Sequence, residues 1–154
     1  MKILVLGGAG KIGSAVAWDL AGDKEIESIG IAARNDKSLE KMKSWIASDK
    51  LAVHILDIAD ASATRRLMEK YDVAVIALPE RRSSYRTIEA AIDAGINAVD
   101  VLKEYHRRPD PYETENLEVP SGMSLDEYGE SLHRRTMLQS LTEWVLLLAS
   151  ATLP

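Results

Sequence analysis

Four glycines stand close to the amino terminus in Gly7-Gly8-Ala9-Gly10-Lys11-Ile12-Gly13. Within them, Gly8-x-Gly10-x-x-Gly13 has the spacing of a turn that cradles a diphosphate. The chemistry would rest on backbone. Gly8 lets a strand turn sharply, Gly10 has no side chain to block an approaching pyrophosphate, and Gly13 lets the following helix pack closely on the strand. The amides that open the helix, among Ala9, Lys11, Ile12 and Gly13, carry partial positive charge and would face the anion. An apolar run at residues 3–6 precedes the glycines and a helical pattern follows them. That strand-turn-helix setting gives the motif a specificity that a glycine string alone lacks.

A second strand ends in Ile31-Ala32-Ala33-Arg34-Asn35, about 20 residues after the glycines, where the adenosine ribose of a dinucleotide lies. An NAD site normally places a carboxylate there to accept from the ribose hydroxyls. Arg34 accepts nothing, but its planar fork pairs with a 2′-phosphate and stacks on an adenine face. Ala33, Arg34 and Asn35 therefore favour NADP(H) over NAD(H), with Lys37 as a second cation. The alternative is that Arg34 is a solvated loop residue and Asp36 takes the ribose.

Two further strand ends point toward the same crevice, since ligands of such sheets bind outside the carboxyl ends of the strands. Asp57 either reaches the adenine amino group, with Ile58 covering the ring, or caps the next helix. Ala77, Leu78 and Pro79 would lie along the pyrophosphate or nicotinamide side, or Pro79 simply ends its strand.

The elements that must position these residues are legible as alternating periods. Strands are expected at residues 2–6, 28–33, 51–56, 73–78 and 98–101, and helices at 11–21, 37–47, 61–70 and 84–94. Gly22 and Gly95 stand where helices must stop, and Asp60 and Ser83 can cap helices that begin after them. This alternation predicts a Rossmann-type, doubly wound parallel sheet of about six strands with helices on both faces. Residues 102–122, with Pro109, Pro111 and Pro120 among charges, read as an irregular surface excursion. Ser124 and Glu127 make a capping box opening a helix to about residue 138, and residues 144–149 read as a sixth strand. We expect one dinucleotide-binding domain over residues 1–154, truncated before a second, substrate and dimerisation domain.

Composition narrows the partners. Hydrophobic residues make up 46% of the 154, enough for one core of ordinary size. The net charge of -5 and interspersed charges offer no basic stripe for nucleic acid. There is no cysteine, and His54, His106 and His133 are too scattered for a metal site. Apolar runs are too short to span a membrane, and we expect a cytoplasmic location.

With these pieces in place, the chain resembles the cofactor domain of the saccharopine dehydrogenase and reductase family, including lysine dehydrogenase-like relatives. The matching residues are the Gly8 to Gly13 loop, Ala33-Arg34, Asp57-Ile58, Val75-Ile76-Ala77-Leu78-Pro79 and Ala94-Gly95-Ile96-Asn97-Ala98-Val99-Asp100. The resemblance implies an NADP(H)-binding part of an oxidoreductase acting on an amino-acid C–N bond. It also implies that an amino-acid-like substrate is held only with the missing domain.

Other readings leave different marks. A short-chain dehydrogenase needs a tyrosine with a lysine four residues on, but Val75, Glu89, Pro109, Asn116 and Leu132 follow Tyr71, Tyr85, Tyr105, Tyr112 and Tyr128 at that distance. A regulatory nucleotide-binding module of potassium transport, or another non-catalytic dinucleotide-binding protein, would also use the glycine turn. The transport module usually has an acid where Arg34 stands. Asp100, Lys103, Glu104, Tyr105 and His106 follow the fifth strand toward the coenzyme's reactive end, but such loop groups are first read as solvated. No catalytic residue is assigned. If a second domain is missing, its uncovered face favours weak self-association, such as a homodimer.

Overall fold

The computed structural model describes residues 1–79, 81–101, 119–124, 127, 128 and 131. The chain divides into two units, Met1–Lys103 and Glu104–Pro154. In the first, β1 (Lys2–Leu6), α1 (Lys11–Gly22), β2 (Ser28–Ala33), α2 (Asp36–Ile46), β3 (Leu51–Ile55), α3 (Ala61–Met68), β4 (Val73–Ile76), α4 (Arg81–Ala94) and β5 (Asn97–Asp100) alternate strictly. The five strands form one sheet in the order β3-β2-β1-β4-β5, and every pairing is parallel. This is the Rossmann-type architecture that the alternation predicts.

Side chains of a strand alternate between faces, so the apolar run of β1 serves two cores at once. Leu4 and Leu6 join Leu67 and Met68 of α3 and Ile88 and Ala91 of α4 in one cluster. Ile3 and Val5 join Ile29 and Ile31 of β2, Ala17 of α1 and Leu39 of α2 in the other. Each large side chain buried this way contributes about 1.5–3 kcal/mol against leaving it in water. The central strand is thus held from both faces, which fixes the position of the turn that follows it.

Boundaries differ from the sequence expectation where local chemistry outweighs pattern. Helix α4 begins at Arg81, ahead of the expected residue 84, in keeping with arginine's place among the stronger helix formers. Ser83 therefore lies inside the helix instead of capping it, and its carbonyl accepts from Thr87 Oγ1 at 2.6 Å. Helix α2 starts one residue early at Asp36 and stops before Ala47, which takes a left-handed φ of 50° as its cap. Asp60 caps α3 as expected, its Oδ1 accepting from Ala63 N at 2.9 Å. Strand β4 ends at Ile76, although Ala77 N still donates to Leu6 O at 2.9 Å.

One polar pair is set into the first unit. His54 Nε2 lies 2.6 Å from Tyr71 Oη, with the two rings edge to face. Gly30 leaves room for the phenol, since a Cβ there would stand 2.5 Å from Tyr71 Cζ. Burial, and then the Lys70 ammonium, lower the His54 pKa below its ordinary 6.5, while burial raises that of Tyr71 above its ordinary 10.0. Both groups are held neutral in the fold. As pH falls, unfolded chains protonate His54 first, so the stability present above 6.5 is lost as pH falls from there through the folded value. As pH rises, unfolded chains ionise Tyr71 first, so the stability present below 10.0 declines beyond it. Melting curves against pH should show a shallower acid-side decline in His54→Gln than in the native chain; equal slopes would count against this account.

In the second unit the expected capping box is present. Ser124 N donates to Glu127 Oε2 at 2.7 Å, and Glu127 N donates to Ser124 Oγ at 3.3 Å. The Ser124 backbone N–H, and then the Ser124 hydroxyl, lower the pKa of the exposed Glu127 carboxyl. Gly122, at φ 88°, and a Met123 N to Pro120 O bond of 3.1 Å form the turn before it. The remainder of the expected excursion, the helix to residue 138, the strand at 144–149, and Lys103, Glu104, Tyr105, His106 and His133 lie outside the described residues.

Candidate dinucleotide-binding site

Because all five strands are parallel, their carboxyl ends share one edge of the sheet. Strand β1 stands between β2 and β4, so the chain order reverses there and a crevice opens above the ends of β1 and β4. The glycine turn occupies this position. Gly7 N and Gly8 N both donate to Ala32 O, at 2.9 and 3.2 Å, which ties the turn to the end of β2. Gly10 N donates to Gly7 O at 2.9 Å and closes it.

The glycines divide their tasks differently from the sequence reading. The sharp turn belongs to Gly7, whose φ of 76° is disfavoured for a side chain and whose Cβ would stand 3.0 Å from Ala77 C. Gly8 has no positive φ; its constraint is the β2 surface, where a Cβ would lie 2.8 Å from Ile31 Cβ. A Cβ on Gly13 would stand 2.8 Å from Gly8 Cα, so the start of α1 packs directly on the turn. Gly10 is exposed, and a Cβ there would meet Gly7 O alone, at 3.2 Å. The spaced motif begins at Gly8, so the doubled glycine is the one sequence signal for the positive φ of Gly7.

Helix α1 opens with no side-chain cap and no acid in its first turn. Helices α2 and α3 are both capped by side chains, through Asn35 and Asp60. The first amides of a helix need partners, and an uncapped, glycine-lined start offers them to a bound anion. Lys11 and Ile12 are exposed beside these amides, Ile12 with 56% of its surface open, and Ala9 is half-buried.

At the end of β2, Ala33 is half-buried and Arg34 and Asn35 are exposed. Arg34 has no hydrogen bond or ion pair among the described residues, which leaves its fork open to a ligand. Asn35 Oδ1 is engaged as the α2 cap, accepting from Ser38 N at 3.1 Å. Asp36 is exposed as the first residue of α2. Asp57 does not cap α3, since Asp60 does; its Oδ1 instead accepts from Ala59 N at 3.0 Å in a turn of its own. Ile58 packs partly against the core. At the end of β4, Ala77 is half-buried, Leu78 is buried in the core and Pro79 is exposed, so Leu78 would offer its backbone to a ligand.

An open cavity of about 730 Å³ lies at the other edge of the sheet, between the carboxyl ends of α1 and α2. Trp18, Asp19, Asp23 and Asp49 line it. Carboxylates and helix carbonyl ends repel a diphosphate, so it plays no part in this site. Among the described residues there is no acid, histidine or cysteine cluster that could hold a metal ion, and no helix long and apolar enough to cross a membrane.

Residues 3–145 match the family model described as saccharopine dehydrogenase NADP binding domain. The chain belongs to this family. It is a nicotinamide-dinucleotide-binding domain of an oxidoreductase family, as the glycine turn indicates. Among solved structures, an apo saccharopine dehydrogenase (L-Glu forming) from Saccharomyces cerevisiae is 22% identical with a TM-score of 0.57; the match covers 74% of this chain and 23% of that one. Pen from Bacillus thuringiensis is 17% identical with a TM-score of 0.56, covering 64% of this chain and 36% of that one. A dTDP-glucose 4,6-dehydratase from Streptomyces venezuelae, with NAD and TYD bound, is 26% identical with a TM-score of 0.50, covering 62% and 37%. The first two likenesses bear on the fold alone. The chain thus spans between 23% and 37% of the length of these solved relatives.

Proposed function

We propose that this domain binds NADP(H) in preference to NAD(H) and serves an oxidoreductase acting on an amino-acid C–N bond. The observation that carries the reading is the start of α1: amides without a side-chain cap or nearby acid, behind glycines that leave the approach open. Gly8, Ala9, Gly10, Lys11, Ile12 and Gly13 hold the diphosphate, mainly through backbone. Arg34 pairs with the 2′-phosphate, flanked by Ala33 and Asn35. Asp57 and Ile58 border the adenine, and Ala77, Leu78 and Pro79 border the nicotinamide half. A bound nicotinamide supplies hydride transfer, and the chain's part is to orient that ring and exclude wrong geometries. The amino-acid substrate is supported by family membership.

A ligand that binds only the folded state stabilises it. NADPH at about a hundred times its Kd should raise unfolding free energy by about 2.7 kcal/mol, read as a higher melting temperature. An unshifted melting curve at millimolar NADPH would overturn the proposal.

A further inference from the structure

The nicotinamide-side border of the groove is a short turn that leaves the sheet, and the fold ties it down on two sides. Toward β1, Ala77 N donates to Leu6 O, and Leu78 Cδ2 would lie 3.3 Å from a Cβ on Gly7. Toward β5, Ile76 stands opposite Asp100 in register, and Val101 N donates to Ile76 O at 3.1 Å. Beyond the turn the chain enters α4, where Ser84 is 3% exposed and its Oγ donates to Asp100 Oδ2.

That last bond is unusual for a helix. A serine or threonine hydroxyl inside a helix normally returns to a carbonyl one turn back, as Thr87 does to Ser83 O. Ser84 instead crosses to the neighbouring strand, and a hydroxyl on a carboxylate makes one of the stronger hydrogen bonds available to side chains. The ends of β4 and β5 and the start of α4 are thereby joined around the turn of Ala77, Leu78 and Pro79. Neither helix propensity nor sheet register requires this pair.

We propose that Ser84 and Asp100 are positioning residues, a clip that holds the Ala77, Leu78 and Pro79 turn as the wall against which the nicotinamide half of the coenzyme is oriented. The inference rests on the dinucleotide reading above. It distinguishes the two halves of the ligand, because the clip lies at the β4–β5 side while Arg34 and Asp57 lie at the β2–β3 side.

The test compares NADPH with adenosine 2′,5′-bisphosphate, which lacks the nicotinamide half, on the full chain. Ser84→Ala should weaken NADPH about fivefold, the scale of one indirect hydrogen bond, and keep bisphosphate affinity within about twofold. The fluorescence of bound NADPH should also move toward that of the free coenzyme. Asp100→Asn, whose amide oxygen still accepts from Ser84, should fall between native and Asp100→Ala, and it serves as the reading if Ser84→Ala does not fold. A parallel loss of both ligands, or an unchanged bound-NADPH spectrum in these variants, would overturn the clip. A native chain that binds neither ligand would overturn the coenzyme reading itself, and the clip with it.

Discussion

Replacing Gly13 by alanine is expected to cost about 3 kcal/mol of stability and to abolish measurable NADPH binding. The added methyl would stand 2.8 Å from Gly8 Cα and 2.9 Å from Gly7 C, all backbone that no rotamer change can move aside. Either α1 lifts from the turn or the turn opens, and both displace the amides that would hold the diphosphate. Gly10→Ala separates the two effects. Its methyl meets only Gly7 O, at 3.2 Å, and alanine is a poorer helix cap than glycine, so the fold should lose about 1 kcal/mol. The same methyl points into the open approach to the helix start, and NADPH affinity should fall at least about tenfold. Urea melts and coenzyme titrations of the two variants check this; Gly10→Ala with native affinity would contradict a diphosphate at that turn.

The second large effect concerns selectivity. Arg34→Ala should remove the preference for NADPH over NADH while leaving NADH affinity within about twofold. A charge-assisted hydrogen bond contributes about 1.5–3 kcal/mol, so the lost preference should be about tenfold to a hundredfold. Arg34→Lys keeps the charge without the planar fork and should retain only part of it. Because Arg34 is exposed, added salt should erode the preference in the native chain as well. A ratio of affinities unchanged in Arg34→Ala would assign the selection to another residue.

Most of the sheet was legible because two periods announce it. The β1 residues Leu4 and Leu6 face one core while Ile3 and Val5 face the other, and a strand buried on both sides reads as an unbroken apolar run. Helix ends were less legible where one side chain could serve two neighbours. Asp57 and Asp60 both suit a cap, and only the backbone shows that Asp60 caps α3 while Asp57 closes its own turn. Ser83 looked like a cap because nothing in its type reveals that Arg81 already lies in the helix. In the site, glycine spacing pointed to the turn but not to Gly7, since a positive φ belongs to the backbone path and not to a motif. The Ser84 to Asp100 bond was invisible for a different reason: it joins residues sixteen apart in sequence, and only the packing of α4 beside β5 brings them together.

The claim on which the rest depends is that the opening of α1 and the tip of β2 together hold a dinucleotide bearing a 2′-phosphate. Titration of the native chain with NADPH and with NADH, followed by nicotinamide fluorescence, measures it most directly. The account predicts saturable binding of both, with NADPH at least about tenfold tighter. Equal affinities would contradict the role of Arg34, and the absence of binding by either coenzyme would contradict the site.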